Sequence, residues 1–207
     1  MIGGTGELGR GLATRFSGPE NQIAIGSRDP AKARDAASRV VVAPGGTVEG
    51  RGNEDAASWC EVAVLTIPDL PSDETLLSLK SSLAGKLVIS PIVPMKFIDG
   101  LFFPALSSES AAERVASVLQ TKVAAAFHTL SGPRLLRPNK ALNSDVLVAA
   151  DSVEIYSEVA AIVSKVNGLR PLYAGPLRNA RMLEMLTPML LNVGKLNKIL
   201  SPSIKVL

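Results

Sequence analysis

The sequence predicts an α/β protein built on a doubly wound parallel sheet, followed by a small, mainly helical carboxy-terminal domain. Three observations carry this reading. Short aliphatic runs alternate with Ala-rich, charge-punctuated segments through the first 150 residues. Runs such as Val62-Ala63-Val64-Leu65 show no polar alternation, as strands covered on both faces require. From Val153 onward the pattern becomes helical. Strand alternating with helix is the signature of a parallel sheet with crossover helices.

In chain order, the strand runs are Gln22 to Ile25, Val40 to Val42, Val62 to Ile67, Leu87 to Ile89, Val123 to Phe127 and Val146 to Ala149. Between them, Leu8 to Phe16, Pro30 to Arg39, Asp73 to Leu83 and Ser110 to Leu119 carry apolar residues at helical spacing. Only Met1, Ile2 and Gly3 precede the first glycine-rich turn, whereas a strand usually spans about five residues, so the first strand is expected to be short. The carboxy-terminal unit reads as a helix from Val153 to Val166, a connection at Gly168-Leu169-Arg170-Pro171, and a long helical stretch from Asn179 to Leu200. Pro188 should kink that stretch rather than end it, because Met189-Leu190-Leu191 resumes the apolar pattern. The domain boundary is placed at residue 150, giving units 1–150 and 151–207.

Composition narrows the function classes. Of the 207 residues, 46% are hydrophobic and 20% charged, which supports a substantial core and excludes disorder. The formal charge is only +3 and aromatics make up 4%, with no basic cluster interleaved among them, so nucleic acid is not an expected partner. A single cysteine, Cys60, excludes an intramolecular disulfide and a multi-cysteine metal cage, and reads as a buried free thiol in a reducing compartment. No apolar stretch approaches the roughly 20 residues of a membrane span. The amino terminus also lacks a basic segment followed by an apolar one. A cytoplasmic location and no membrane association are therefore expected.

Gly4-Thr5-Gly6-Glu7-Leu8-Gly9 fits G-x-G-x-x-G and opens into a helical segment, with the strand Gln22 to Ile25 following at βαβ spacing. In such a turn the first glycine permits the tight bend, the second lets a pyrophosphate approach the backbone, and the third allows close helix packing. These six residues are thus expected to form a Rossmann-type dinucleotide site. After the next strand, where an NAD site carries an acid, the chain reads Gly26-Ser27-Arg28-Asp29-Pro30-Ala31-Lys32. The Ser27 hydroxyl, the Arg28 guanidinium and the Lys32 ammonium suit the 2′-phosphate of NADP. Asp29 followed by Pro30 reads as a helix cap.

Two strand ends, Leu65-Thr66-Ile67-Pro68 and Ile89-Ser90-Pro91-Ile92-Val93-Pro94, stop at prolines. Ligands of open α/β sheets sit outside the carboxyl ends of strands, so Thr66, Ile67, Pro68, Pro91 and Val93 are expected to line the nicotinamide half of the crevice. The only histidine, His128, ends another strand, with Leu130 beyond it in the same cleft. With no second His and no nearby Cys in the sequence pattern, His128 cannot build a metal site or a nucleophile pair.

Taken together these residues resemble the NADPH-dependent coenzyme F420 oxidoreductases. The match runs through Gly4 to Gly11, Gly26 to Arg28, Ser90 to Pro94, Ser108 to Glu113, Phe127 to Thr129 and Gly168 to Pro171, then Ala174 to Arg181, Glu184, Leu186 to Pro188 and Asn192. The resemblance implies a Rossmann NADP domain, a small second domain that helps form the F420 pocket, a homodimer, and a cleft in which the two rings stack. It places Ser27, Arg28 and Lys32 on the 2′-phosphate, and His128, Arg181 and Thr187 near the deazaflavin. There, His128 and Arg181 would favour the reduced or anionic ring by hydrogen bonding and charge. Hydride transfer between aligned rings needs no protein nucleophile, so no catalytic residue is assigned.

Met185 departs from the family pattern, which often has a small hydroxyl residue there, and Ser201 to Leu207 matches only loosely. Arg181 also reads as an ion-pair partner of Glu184. Two further readings keep the NADP domain. One is a reductase serving a flavin, a ferric chelate or an imine, and the other is an NADP-binding sensor without turnover.

Overall fold

The computed structural model describes residues 1–105 and 108–207. The chain runs α1 (Glu7–Phe16), β1 (Gln22–Ser27), α2 (Pro30–Ser38), β2 (Thr47–Gly52), α3 (Asn53–Trp59), β3 (Val62–Val64), α4 (Asp73–Leu83), β4 (Leu87–Ser90), β5 (Met95–Ile98), β6 (Leu101–Pro104), α5 (Ala111–Leu119), β7 (Lys122–Ala125), α6 (Gly132–Leu135), β8 (Ser144–Ala150), α7 (Val153–Ser164), β9 (Leu169–Tyr173) and α8 (Ala180–Asn197). A 3-10 turn at Leu177–Asn179 leads into α8.

Five strands form one sheet in the order β3-β4-β7-β8-β9, and β1 and β2 form a parallel pair beside it. The short segment Met1 to Gly4 joins the two. On one side Ile2 N donates to Val64 O and Thr66 N donates to Ile2 O, both at 2.9 Å. On the other, Gly26 N donates to Met1 O at 2.7 Å and Gly4 N to Gly26 O at 2.9 Å. The expected short first strand therefore bonds on both edges and makes the sheet continuous. The resulting order, β2-β1-first strand-β3-β4-β7, is that of a doubly wound sheet whose winding reverses at the first strand. Its pairings are parallel up to β7; β8 then runs antiparallel to β7, and β9 parallel to β8.

Helices cover both faces because each carries an apolar stripe. Leu76, Leu79 and Leu83 of α4 pack with Val115 and Leu119 of α5 against Leu65, Val88 and Val123. Leu12 and Phe16 of α1 pack with Val159 and Val163 of α7 against Val64, Ile89 and Val148 on the other face.

Several expectations are corrected. Val40 to Val42 is not a strand: Val41 and Val42 are exposed and run into the turn Ala43-Pro44-Gly45-Gly46. The strand is Thr47–Gly52, whose composition has little β preference. Its Gly50 lets α2 lie directly on it, since a Cβ there would sit 2.2 Å from Arg34 N. The run Val62 to Ile67 leaves the ladder at Val64, with Leu65 in a single bridge to Ile2. Gly168 to Pro171 belongs partly to β9, which extends the main sheet, and Pro171 is tolerated there because β9 is an edge strand. Cys60 is half-buried rather than buried, and burial pushes its thiol up. No helix among the described residues is long and apolar enough to cross a membrane.

Candidate functional site

The parallel strands bring the turns that follow the first strand, β1, β3, β4 and β7 to one carboxyl edge, and every candidate residue from the first 130 positions lies on those turns or on the helices they open. At the first turn the glycines divide the work. A Cβ on Gly9 would fall 2.5 Å from Gly4 Cα, so only glycine lets α1 pack so closely on the turn. A Cβ on Gly6 would meet nothing within 4 Å, so the space above it is open to a ligand. Gly6 is also the N-cap of α1, and the helix has no side-chain cap. An open approach to a helix amino end is what a pyrophosphate requires. Thr5, Glu7 and Leu8 complete this turn. Asn53, which the sequence reading missed, fastens it by accepting from Gly3 N through Oδ1 at 3.1 Å.

Beside this turn, β1 ends at Ser27, whose Oγ accepts from Asp29 N at 3.2 Å. The Asp29 carboxylate caps α2 by accepting from Ala31 N at 2.9 Å and Lys32 N at 3.4 Å, the helix-cap role expected of Asp29 before Pro30. Arg28 and Lys32 are exposed and form no ion pair among the described residues. Two uncommitted cations and a hydroxyl beside an open phosphate turn fit a 2′-phosphate.

Farther along the edge, Thr66 is buried and donates through Oγ1 to Ile2 O at 3.2 Å, with Ile67 and Pro68 following it outward. Pro91 and Val93 are buried in the turn after β4. After β7 the chain bends at Phe127, whose φ of +71° is a strained left-handed conformation, held by burial of the ring and its edge contact with Phe16 at 6.0 Å between centroids. Leu130 N closes the bend by donating to Phe127 O at 3.2 Å.

His128 is 7% exposed and neither ring nitrogen has a hydrogen-bond partner among the described residues. Burial pushes its pKa down to about 3, so the ring is neutral near pH 7. This corrects the expectation that it supplies positive charge; its unmatched nitrogens are hydrogen-bonding capacity, which a polar ligand edge would satisfy.

Helix α8 returns to the same edge. Thr187 Oγ1 donates to His128 O at 2.8 Å, which ties the helix to the end of β7. Arg181 lies nearly two turns earlier, exposed and without an ion pair among the described residues, beside Pro94, Pro104 and Ala105. The alternative pairing of Arg181 with Glu184 is not formed. Glu184 is buried and accepts instead from Ala111 N at 3.1 Å and Ala112 N at 3.2 Å. A cavity of about 630 Å³ opens at the opposite end of the sheet among Met1, Gln22, Trp59 and Val62, and contains none of these candidates.

A doubly wound sheet with an open glycine turn and an uncommitted Arg-Lys pair at its carboxyl edge defines a Rossmann-type NADP-binding protein. Residues 1–94 match the family model described as NADP oxidoreductase coenzyme F420-dependent. Over the whole chain the sequence is 38% identical to the F420-dependent NADP reductase of Methanothermobacter thermautotrophicus, covering 93% of that protein. It is 33% identical to the enzyme of the same name from Methanocaldococcus jannaschii, across 94% of this chain and 91% of that one. The chain belongs to the family of F420-dependent NADP reductases. Among solved structures the fold is shared with an Arthrobacter sp. FB24 protein provisionally described as an F420-dependent NADP reductase, at TM-score 0.79 and 22% identity over 98% of this chain and 96% of that one. It is also shared with an Aspergillus terreus reductive aminase in complex with NADPH, at TM-score 0.62 and 15% identity, over 94% of this chain and 61% of that one.

Proposed function

We propose that the protein transfers a hydride between NADP(H) and coenzyme F420. The observation that supports this best is the single carboxyl edge, which carries an open phosphate turn with free cations at one end and the buried, unpartnered ring nitrogens of His128 at the other. When bound, NADPH supplies a hydride from nicotinamide C4 and F420 accepts it on its deazaflavin ring. The work of the chain is placement. The Gly4–Gly9 turn and the start of α1 hold the pyrophosphate, and Ser27, Arg28 and Lys32 hold the 2′-phosphate. Thr66, Ile67, Pro68, Pro91 and Val93 wall the nicotinamide side and exclude water. His128, Leu130, Arg181 and Thr187 receive the deazaflavin. Arg181 carries the positive charge that favours a reduced, anionic ring, and neutral His128 contributes a hydrogen bond.

We further assign residues 1–150 to the NADP unit and 151–207 to a unit completing the F420 cleft, in a cytoplasmic homodimer. The exposed apolar row Met182, Met185, Met189, Val193 and Leu196 on α8, beside Phe103, offers the face for a second copy. Sedimentation of the purified protein measures that state. Mixing the protein with NADPH and oxidised F420, with NADH and FMN as parallel controls, tests the reaction. Loss of the deazaflavin absorbance with NADPH alone is the expected result; reduction of FMN in place of F420 overturns the acceptor.

A further inference from the structure

We propose that Glu184 is a positioning residue for the acceptor half of this site, docking α8 onto the first turn of α5 and thereby fixing Arg181 and Thr187 at the carboxyl edge of the sheet. The proposal rests on the reading of F420 as acceptor given above. Its ground is the way the amino end of α5 is completed. A helix start leaves four amide donors without intrahelical partners. Here Ser110 N donates to Glu113 Oε2 at 2.9 Å and Glu113 N to Ser110 Oγ at 3.1 Å, a reciprocal capping box. The remaining two, Ala111 N and Ala112 N, donate to the Glu184 carboxylate, which arrives from a helix more than 70 residues later.

The sequence fits this docking. Ala111 and Ala112 are buried, and their small side chains leave the amides open to an incoming carboxylate, whose charge the positive helix end favours. The Ser-Ala-Ala-Glu motif and Glu184, separate in the sequence, are thus two halves of one contact.

The contact is placed where it governs the site. Helix α5 feeds β7, and β7 leads to His128, whose carbonyl accepts from Thr187. So α8 is pinned to both ends of one helix–strand unit, through residues three apart on one helix face. Arg181 and Met185 flank Glu184 and share its recess with Pro94, Pro104, Ala105 and Glu109. A shift of α8 by a fraction of a turn would move Arg181 while leaving the glycine turn and Arg28 untouched.

The charged groups around Glu184 are Glu113 of α5, Glu109 before α5 and Arg181 on α8. Burial pushes the carboxyl up to about 7, against the two amides that pull it down, and Glu113 adds to the rise. Because burial favours the protonated carboxyl, the docked state holds its proton up to about pH 7, and the docking weakens as pH rises through that value.

The test compares wild type with Glu184→Gln and Glu184→Ala, using NADPH and F420 over a range of pH, with NADPH binding measured separately by titration. Glu184→Gln should raise KM for F420 about tenfold or more, as misplacement of a binding group does, with the NADPH dissociation constant within about twofold. The wild-type step in kcat/KM for F420 near pH 7 should be absent from Glu184→Gln, which cannot titrate. An unchanged KM for F420, equal losses for both cofactors, or a retained step would each overturn the proposal. If the wild type reduces no F420, the acceptor reading fails. The positioning role is then decided by amide exchange: faster exchange at Ala111, Ala112 and Arg181 to Thr187 in Glu184→Gln supports it, and unchanged exchange rejects it.

Discussion

Gly6 and Gly9 show how identical residues three positions apart answer to different demands. A Cβ on Gly9 collides with the backbone of Gly4, so Gly9→Ala should destabilise the protein by about 1–3 kcal/mol, the usual cost of overpacking, in a denaturant titration. Gly6 faces open space, so Gly6→Ala should leave stability within about 1 kcal/mol, since a poorer cap is offset by a less flexible unfolded chain. It should still weaken NADPH binding by filling the space through which the phosphates approach. Equal stability losses in the two variants would show that both glycines are structural. Arg28 is the complementary case, a side chain with nothing to do in the fold. Arg28→Ala should raise KM for NADPH roughly 10- to 100-fold, the worth of one charge-assisted bond to phosphate, and leave KM for NADH nearly unchanged. An unaltered preference between the two nucleotides would remove Arg28 from the site.

At the scale of elements, α8 is the piece that connects the two halves of the cleft, through contacts at Glu184, Thr187 and Asn192. The last of these holds the β5–β6 hairpin: Asn192 Oδ1 accepts from Phe102 N at 2.8 Å and its Nδ2 donates to Phe102 O at 2.7 Å. Asn192→Ala should cost about 1–2 kcal/mol and speed amide exchange in Met95–Pro104 while NADPH affinity stays constant. Equally fast exchange throughout the sheet would show that the residue supports the whole fold rather than the hairpin. Such contacts mark the limit of what periodicity conveys. The helices α1, α2, α4, α5, α7 and α8 and the strands β1, β4, β7 and β8 were legible because burial imposes their apolar spacing. The strand Thr47–Gly52 was not, because it is held by Gly50 beneath α2 rather than by β preference, and neither was β9 with Pro171 at a sheet edge. In the site, the glycine turn and the Ser27-Arg28-Lys32 group are local in sequence and could be read directly. Asn53 on Gly3 and Glu184 on α5 are pairings between distant segments, which no spacing rule reports. The neutrality of His128 depends on burial, a property of the assembled edge.

For the whole molecule, the two buried titrating groups of the cleft oppose each other in pH. The folded pKa of Glu184, about 7, lies above its ordinary 4.5, so the folded state holds a proton that the unfolded chain releases; stability falls as pH rises from about 4.5 to about 7. His128 has a folded pKa of about 3, below its ordinary 6.5, so the unfolded chain takes up the proton first; stability rises from about pH 3 to about 6.5 and is lost as pH falls through that window. Each contributes a slope of about 1.4 kcal/mol per pH unit where it acts alone, and between about 4.5 and 6.5 the two slopes cancel. Asp145, held low by hydrogen bonds from Arg170, adds acid sensitivity only at and below the ordinary carboxylate range. Urea midpoints for the wild type should therefore be nearly flat across that interval. His128→Gln should become less stable as pH rises from 4.5 to 6, above which the buried Met1 ammonium, its pKa lowered to about 6, adds the opposite slope, and Glu184→Gln should lose stability as pH falls below 6.5. Parallel pH profiles in the two variants would show that these groups do not titrate as the buried edge requires. Opposite profiles would mean that the dry environment which keeps His128 neutral for the ring also makes the α8 dock responsive near neutrality, so that one burial event sets both properties of the cleft.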